Sequence, residues 1–83
     1  LEVDKNEIDG FVIYPNPVKE GKVYVQTAFT GIKNIVISDM AGKIVFTIET
    51  ENRELNIHRL PSGVYIMNVE QDGKVSTQKL IVE

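Results

Sequence analysis

The chain contains no cysteine and no tryptophan. No disulfide can brace it, and no thiolate can hold a metal. Secreted domains without disulfides exist, so this absence leaves the compartment open. Histidine occurs once, at His58, which excludes a histidine-built metal centre. Positive charge is in short supply: nine Lys and Arg stand against twelve Asp and Glu, for a net charge of -3. That balance opposes nonspecific binding to nucleic acid and attraction to anionic lipid. Apolar runs are brief, as in Ile35-Val36-Ile37. A membrane-spanning helix needs about 20 such residues, so none is expected. No signal-peptide pattern opens the chain, which starts at Leu1 without methionine. It is expected to be a piece of a longer protein or a chain whose start has been removed, and the sequence does not distinguish the two.

What is present points to one β-rich domain. The 83 residues suffice for one small core, with roughly 60% of the unfolded surface buried. Residues 1–10 hold four acids and one lysine up to Asp9 and read as a linker to an upstream segment. Residues 11–83 read as the folded body. Short runs rich in Val, Ile, Thr and Tyr follow one another there: 11–14, 22–27, 33–38, 43–49, 55–57, 63–70 and 74–82. Turn signals separate them, including Pro15-Asn16-Pro17, Glu20-Gly21, Asp39-Met40-Ala41-Gly42 and Gln71-Asp72-Gly73. Seven short strands at this spacing predict an all-β sandwich or barrel.

Alternation supports strands over helices. Ile44, Phe46 and Ile48 share one face by period two, as do Val23 with Val25 and Leu55 with Ile57. The expected core contains Leu60, Tyr65, Ile35, Ile37, Ile44 and Phe46. Tyr65 is expected to point inward with its hydroxyl bonded to backbone. In the last run, the set Val75, Thr77, Ile81 and the set Ser76, Leu80, Val82 compete equally for the buried face. Three triplets recur, Gly21-Lys22-Val23, Gly42-Lys43-Ile44 and Gly73-Lys74-Val75. Phosphate-cradling loops need a longer glycine spacing and a following helix. Each triplet instead opens a strand, with glycine supplying positive φ to the turn. Gly42 and Gly63 are both expected to hold angles closed to other residues. Asn16 and Pro17 are expected to fix the turn between the first two strands.

No catalytic constellation emerges, and no cofactor or metal is expected. His58 lacks a recognisable nucleophile partner and reads as a surface residue. Asp9, Asn16, Asp39 and Asp72 lie in turns but lack calcium-loop spacing. Asp39 and Asp72 fit better as caps on their own turns. Glu49, Glu51 and Glu54 read as a solvated acidic patch, because a two-layer body this small leaves little room for a cleft. Tyr14, Tyr24 and Tyr65 admit a carbohydrate-binding or adhesion module as the alternative reading, since aromatic faces stack on sugars.

The chain closes on Gln78-Lys79-Leu80-Ile81-Val82-Glu83, apolar and β-branched where chain ends usually fray. These residues are expected to be ordered or to be read by another protein. Four elements occur in order: Tyr14-Pro15-Asn16-Pro17, Asp39-Met40-Ala41-Gly42-Lys43-Ile44-Val45, Leu60-Pro61-Ser62-Gly63-Val64-Tyr65-Ile66, and Gly73 leading to Lys79-Leu80-Ile81-Val82. Together they resemble the type A C-terminal sorting domain of the type IX (Por) secretion system of Bacteroidota. Glu83 departs from the lysine or arginine with which members frequently finish.

The resemblance implies an all-β, immunoglobulin-like seven-stranded antiparallel β-sandwich that serves as a non-catalytic address label at the end of an exported precursor. The precursor would reach the periplasm by its own signal peptide and be recognised by the outer-membrane translocon. A sortase-like peptidase would then remove the domain in the preceding linker, leaving the covalently linked upstream cargo at the cell surface or secreted. Lys79, Leu80, Ile81, Val82 and Glu83 would carry the signal, with edge-strand pairing as one mode of reading it. Asn16, Pro17, Asp39, Gly42, Lys43, Leu60, Gly63, Tyr65 and Gly73 would form the motif and turn positions.

Overall fold

A computed structural model describes residues 7–83; residues 1–6 of the expected linker lie outside the described residues. Seven strands form: β1 (Val12–Tyr14), β2 (Lys22–Gln26), β3 (Lys33–Asp39), β4 (Ile44–Thr50), β5 (Glu54–Asn56), β6 (Gly63–Gln71) and β7 (Lys74–Val82). Each bound falls within one residue of the sequence expectation. The strands make two antiparallel sheets, ordered β1-β2-β5 and β4-β3-β6-β7. The chain crosses between sheets after β2, β4 and β5. The all-β sandwich expected from the sequence is the fold observed, compatible with the immunoglobulin-like class.

Alternation decides which side chains meet between the sheets. Val23, Val25 and Leu55 from one sheet face Ile35, Ile37, Met67, Val69 and Leu80 from the other, all buried. Burial at about 25 cal/mol per Å² of apolar surface drives this closure. Ile8 also belongs to the core, and its N–H donates to the buried Ser76 hydroxyl at 2.9 Å. The Asp9 carbonyl accepts from Ala28 N–H at 2.8 Å. The fastened body therefore includes residues 8 and 9.

One core expectation is overturned. Ile44 is 59% exposed. Ile37 pairs with Phe46, but Ser38 pairs with Ile44, so Val45 is an extra residue in β4. This β-bulge advances β4 by two residues against one on β3. Residues beyond it change faces, and Ile44 joins Ser38 on the outer surface. Phe46 stays on the inner side but only partly buried, because β4 is an edge strand that the three-stranded sheet does not fully cover.

The turns follow the glycine pattern. Gly21, Gly42 and Gly73 have φ of +73°, +89° and +79°. Gly21 is also crowded: a Cβ there would lie 2.6 Å from the His58 ring. Gly63 does not fit the expectation. It opens β6 opposite Val82 outside the positive-φ region, and a Cβ there would meet the Tyr65 ring at an ordinary 3.7 Å.

Candidate functional site

The last strand sorts the five signal candidates by face. Across the β6–β7 ladder Tyr65 pairs with Leu80 and Gly63 with Val82, on the inner side. Leu80 is fully buried, and Val82 is nearly so. They are core residues and hold β7 in place. Lys79 pairs with Ile66, and Ile81 with Val64, on the outer side. Lys79 and Glu83 are exposed, and Ile81 is half-buried. Among the described residues the one ion pair joins Lys22 to Glu54, so Lys79 offers an unpaired ammonium.

The free edge of β7 is occupied along this stretch. The Asn16 side chain reaches across more than sixty residues of sequence and pairs as a strand would. Its Nδ2 donates to the Lys79 carbonyl at 2.8 Å, and its Oδ1 accepts from Ile81 N–H at 2.9 Å. Val18 continues the pattern: its N–H donates to the Ile81 carbonyl, and its carbonyl accepts from Glu83 N–H. Residues 16–18 thus satisfy a backbone edge that would otherwise invite strand addition. Edge pairing along 79–83, one mode expected from the sequence, is closed in this fold. Proline on both sides of Asn16 removes two backbone donors, so this segment depends on the asparagine amide at that point. Both X-Pro bonds of the motif are cis.

Most of the dispersed motif residues gather around this end of β7. Asp39 pairs with Tyr65, whose other neighbour is Leu80. Asp39 Oδ1 accepts from the N–H groups of Ala41 and Lys43, both at 2.9 Å, closing the turn that Gly42 permits. Tyr65 is buried, and its hydroxyl donates to the Pro61 carbonyl at 2.6 Å, fixing the corner before β6. Leu60 is buried beside it in the core. Pro17 lies between Asn16 and the fully buried Val18. Gly73 stands apart at the far end of β7, in the turn with Asp72 (φ 54°). Sequence reasoning placed Asn16 in a turn but gave no sign of its contact with β7, because no local pattern encodes so remote a partner.

Other candidates stay separate. Among the described residues no group of three or more His, Cys, Asp or Glu could hold a metal ion. His58 is exposed, its Nδ1 beside Asn56 Oδ1. Tyr14 and Tyr24 stack with ring centroids 5.4 Å apart on the outer face of the small sheet. Asn52, Arg53, Glu54 and Asn56 ring an open depression of about 620 Å³ beside them. Lys33 is buried between the sheets at the opposite end from Leu80. Desolvation holds its ammonium below the ordinary lysine range; Glu51 partly offsets this, and Arg53 adds to it.

A family model for the secretion system C-terminal sorting domain matches residues 12–83. No curated protein matches the chain. Among solved structures, PorZ of Porphyromonas gingivalis matches with a TM-score of 0.66 at 23% identity. The match covers 89% of this chain but 11% of PorZ, which is described as an essential bacterial surface component of the type IX secretion system. That likeness supports the fold, and the family model carries the assignment: the chain belongs to the secretion system C-terminal sorting domain family, the sorting domains of type IX secretion.

Proposed function

We propose that this domain is a non-catalytic label read by the type IX translocon through the outward side of β7. Lys79 and Ile81 are the residues read; Leu80 and Val82 hold the strand. The observation that carries this reading is the convergence of three family motifs, around Asn16, Asp39 and Tyr65, on that end of β7. A stable shape with an unpaired lysine among Ile66, Ile81 and Val64 suits a receptor that offers an acidic group within an apolar surface. Recognition directs an attached cargo through the outer membrane to the cell surface or beyond. A sortase-like peptidase then cuts in the linker that precedes the domain, upstream of Ile8, whose N–H is held by the Ser76 hydroxyl.

The test is a reporter fused ahead of this domain in a type IX-competent bacterium. Extracellular reporter that depends on the domain and on an intact translocon supports the reading. Reporter that leaves the cell equally well without the domain refutes it. A second reading draws on the Tyr14–Tyr24 stack and its rim of amide and charged side chains, which is the chemistry of a sugar-binding face. Saccharide binding lost on Tyr14→Ala, with export unchanged, would favour that reading.

A further inference from the structure

The ladder registers divide the outer face of the four-stranded sheet into two unlike halves. In one half, Glu49 and Glu70 flank Asn34, and Val75 lies beyond Glu70. The next row runs Thr47, Val36, Asn68, Thr77, and the Thr77 hydroxyl donates to Asn68 Oδ1. These two rows are mostly polar, and carboxylates are their only charges. In the other half, one row runs Ile44, Ser38, Ile66, Lys79, one residue from each strand. The row after it pairs Val64 with Ile81. Lys79 is the only charged side chain of this second half; Glu83 follows past its end.

The β-bulge puts Ile44 in that row. Unbroken period two would return Ile44 to the inner face with Phe46 and Ile48. Val45 precedes the inward Phe46 and faces outward as well, so two successive apolar residues of β4 point away from the core. The adjoining turn carries Met40 one residue past the Asp39–Tyr65 pair, at the level of Val64. Met40 is 64% exposed, and with Ile44 it is one of the two most exposed large apolar side chains among the described residues. Single exposed apolar residues are ordinary, but a contiguous set rimmed by polar groups marks an interaction surface. Bulges commonly re-aim a side chain, and this one takes an isoleucine from the side that would bury it.

We propose that Ile44, with Met40 and Val45 beside it, is a specificity-determining part of the surface read by the type IX translocon. This rests on the reading of Lys79 and Ile81 by the same receptor. The row from Ile44 through Ser38 and Ile66 to Lys79 joins the two into one surface, about 14 Å across at roughly 4.8 Å per strand. The partner is a protein surface with an apolar centre that covers Ile44, Ile66, Val64 and Ile81. An acidic group on its β7 side meets Lys79. Glu49 and Glu70 repel that group from the other half of the sheet and so fix which end is engaged. The Asp39–Gly42 turn then serves recognition as well as folding. Asp39 closes it, Gly42 permits it, and Met40 and Ile44 are what it and the bulge present.

Export of a reporter fused ahead of the domain tests this, with the melting temperature of every variant compared first. Met40→Ser combined with Ile44→Thr is expected to melt with the parent, since both side chains are largely exposed, and to lower export at least tenfold. Ile44→Thr alone, which keeps a β-branched stem, is the second variant should the pair melt lower, and the same direction is expected. Ile44→Val keeps the apolar surface and is expected to export as the parent does. Val75→Ser alters a 46% exposed apolar residue in the acidic half and is expected to leave export unchanged. Lys79→Glu with Ile81→Ser is run beside them. Normal export of folded Met40 and Ile44 variants, with the β7 variant blocked, overturns the proposal and leaves the reading of β7 standing. Val75→Ser blocked as strongly as the Ile44 variants overturns it too. Normal export of the β7 variant refutes the reading of β7, and the joint surface with it.

Discussion

Replacing Asn16 with alanine isolates the contact between the proline-flanked segment and β7. The substitution deletes two hydrogen bonds, one to the Lys79 carbonyl and one from Ile81 N–H. Each such bond contributes about 0.5–1.5 kcal/mol net. Asn16 is exposed, so water replaces part of what is lost, and the expected cost is about 1–2 kcal/mol. A domain of this size melts about 4–8 °C lower for each kcal/mol lost. Thermal melting gives the total, and hydrogen exchange locates it. Ile81 N–H is expected to lose protection beyond the global change, and Leu80 N–H, bonded to β6, is not. Asn16→Asp is a sharper variant, because it keeps the acceptor for Ile81 N–H but turns a carboxylate toward the Lys79 carbonyl. It is expected to be at least as destabilising as alanine at neutral pH. An unchanged melting temperature in both variants, with Ile81 still protected, would refute the clamp.

Gly21→Ala places a Cβ against the His58 ring at φ +73° and is expected to cost about 1–3 kcal/mol. Adding His58→Ala should recover only part of this, because the angle remains strained; full recovery in urea unfolding would show that the clash alone matters. Lys33 binds its proton less tightly when folded than when unfolded. The unfolded chain therefore holds more protons between the lowered folded pKa and the ordinary lysine value, and stability rises with pH across that window. Below it, the penalty for burying the charge is fully present. The stability of Lys33→Met relative to the parent is expected to fall as pH climbs through the window. A difference that stays flat or widens in urea titrations at pH 7 to 10.5 would contradict this.

Strand positions were legible in the sequence because turn residues bracket every run and β-branched residues fill it. The bound of each strand follows from those two local signals. Face assignment was legible only where period two ran unbroken. At Val45 a bulge inserts one residue, and Ile44 turns outward though its sequence pattern matches that of Phe46. The buried face of β7 was undecidable locally, since Leu80 and Val82 are no more apolar than Ile81. The opposite sheet decides it by enclosing Leu80, and Ser76 is tolerated inside because it accepts from Ile8 N–H. Gly63 looked like a turn glycine by its Pro-Ser-Gly context, yet it begins a strand without positive φ. The motif residues themselves were readable, but their meeting at one end of β7 was not. Asn16 illustrates why: its partners are two backbone groups at the other end of the chain, and backbone groups leave no trace in sequence.

The division of β7 into a side that holds and a side that is read has one direct test. The double variant Lys79→Glu with Ile81→Ser alters only outward positions, and its melting temperature is compared with that of the parent before export is measured. The account predicts a folded domain whose reporter fusion stays inside the outer membrane. A folded double variant exported as efficiently as the parent would contradict it.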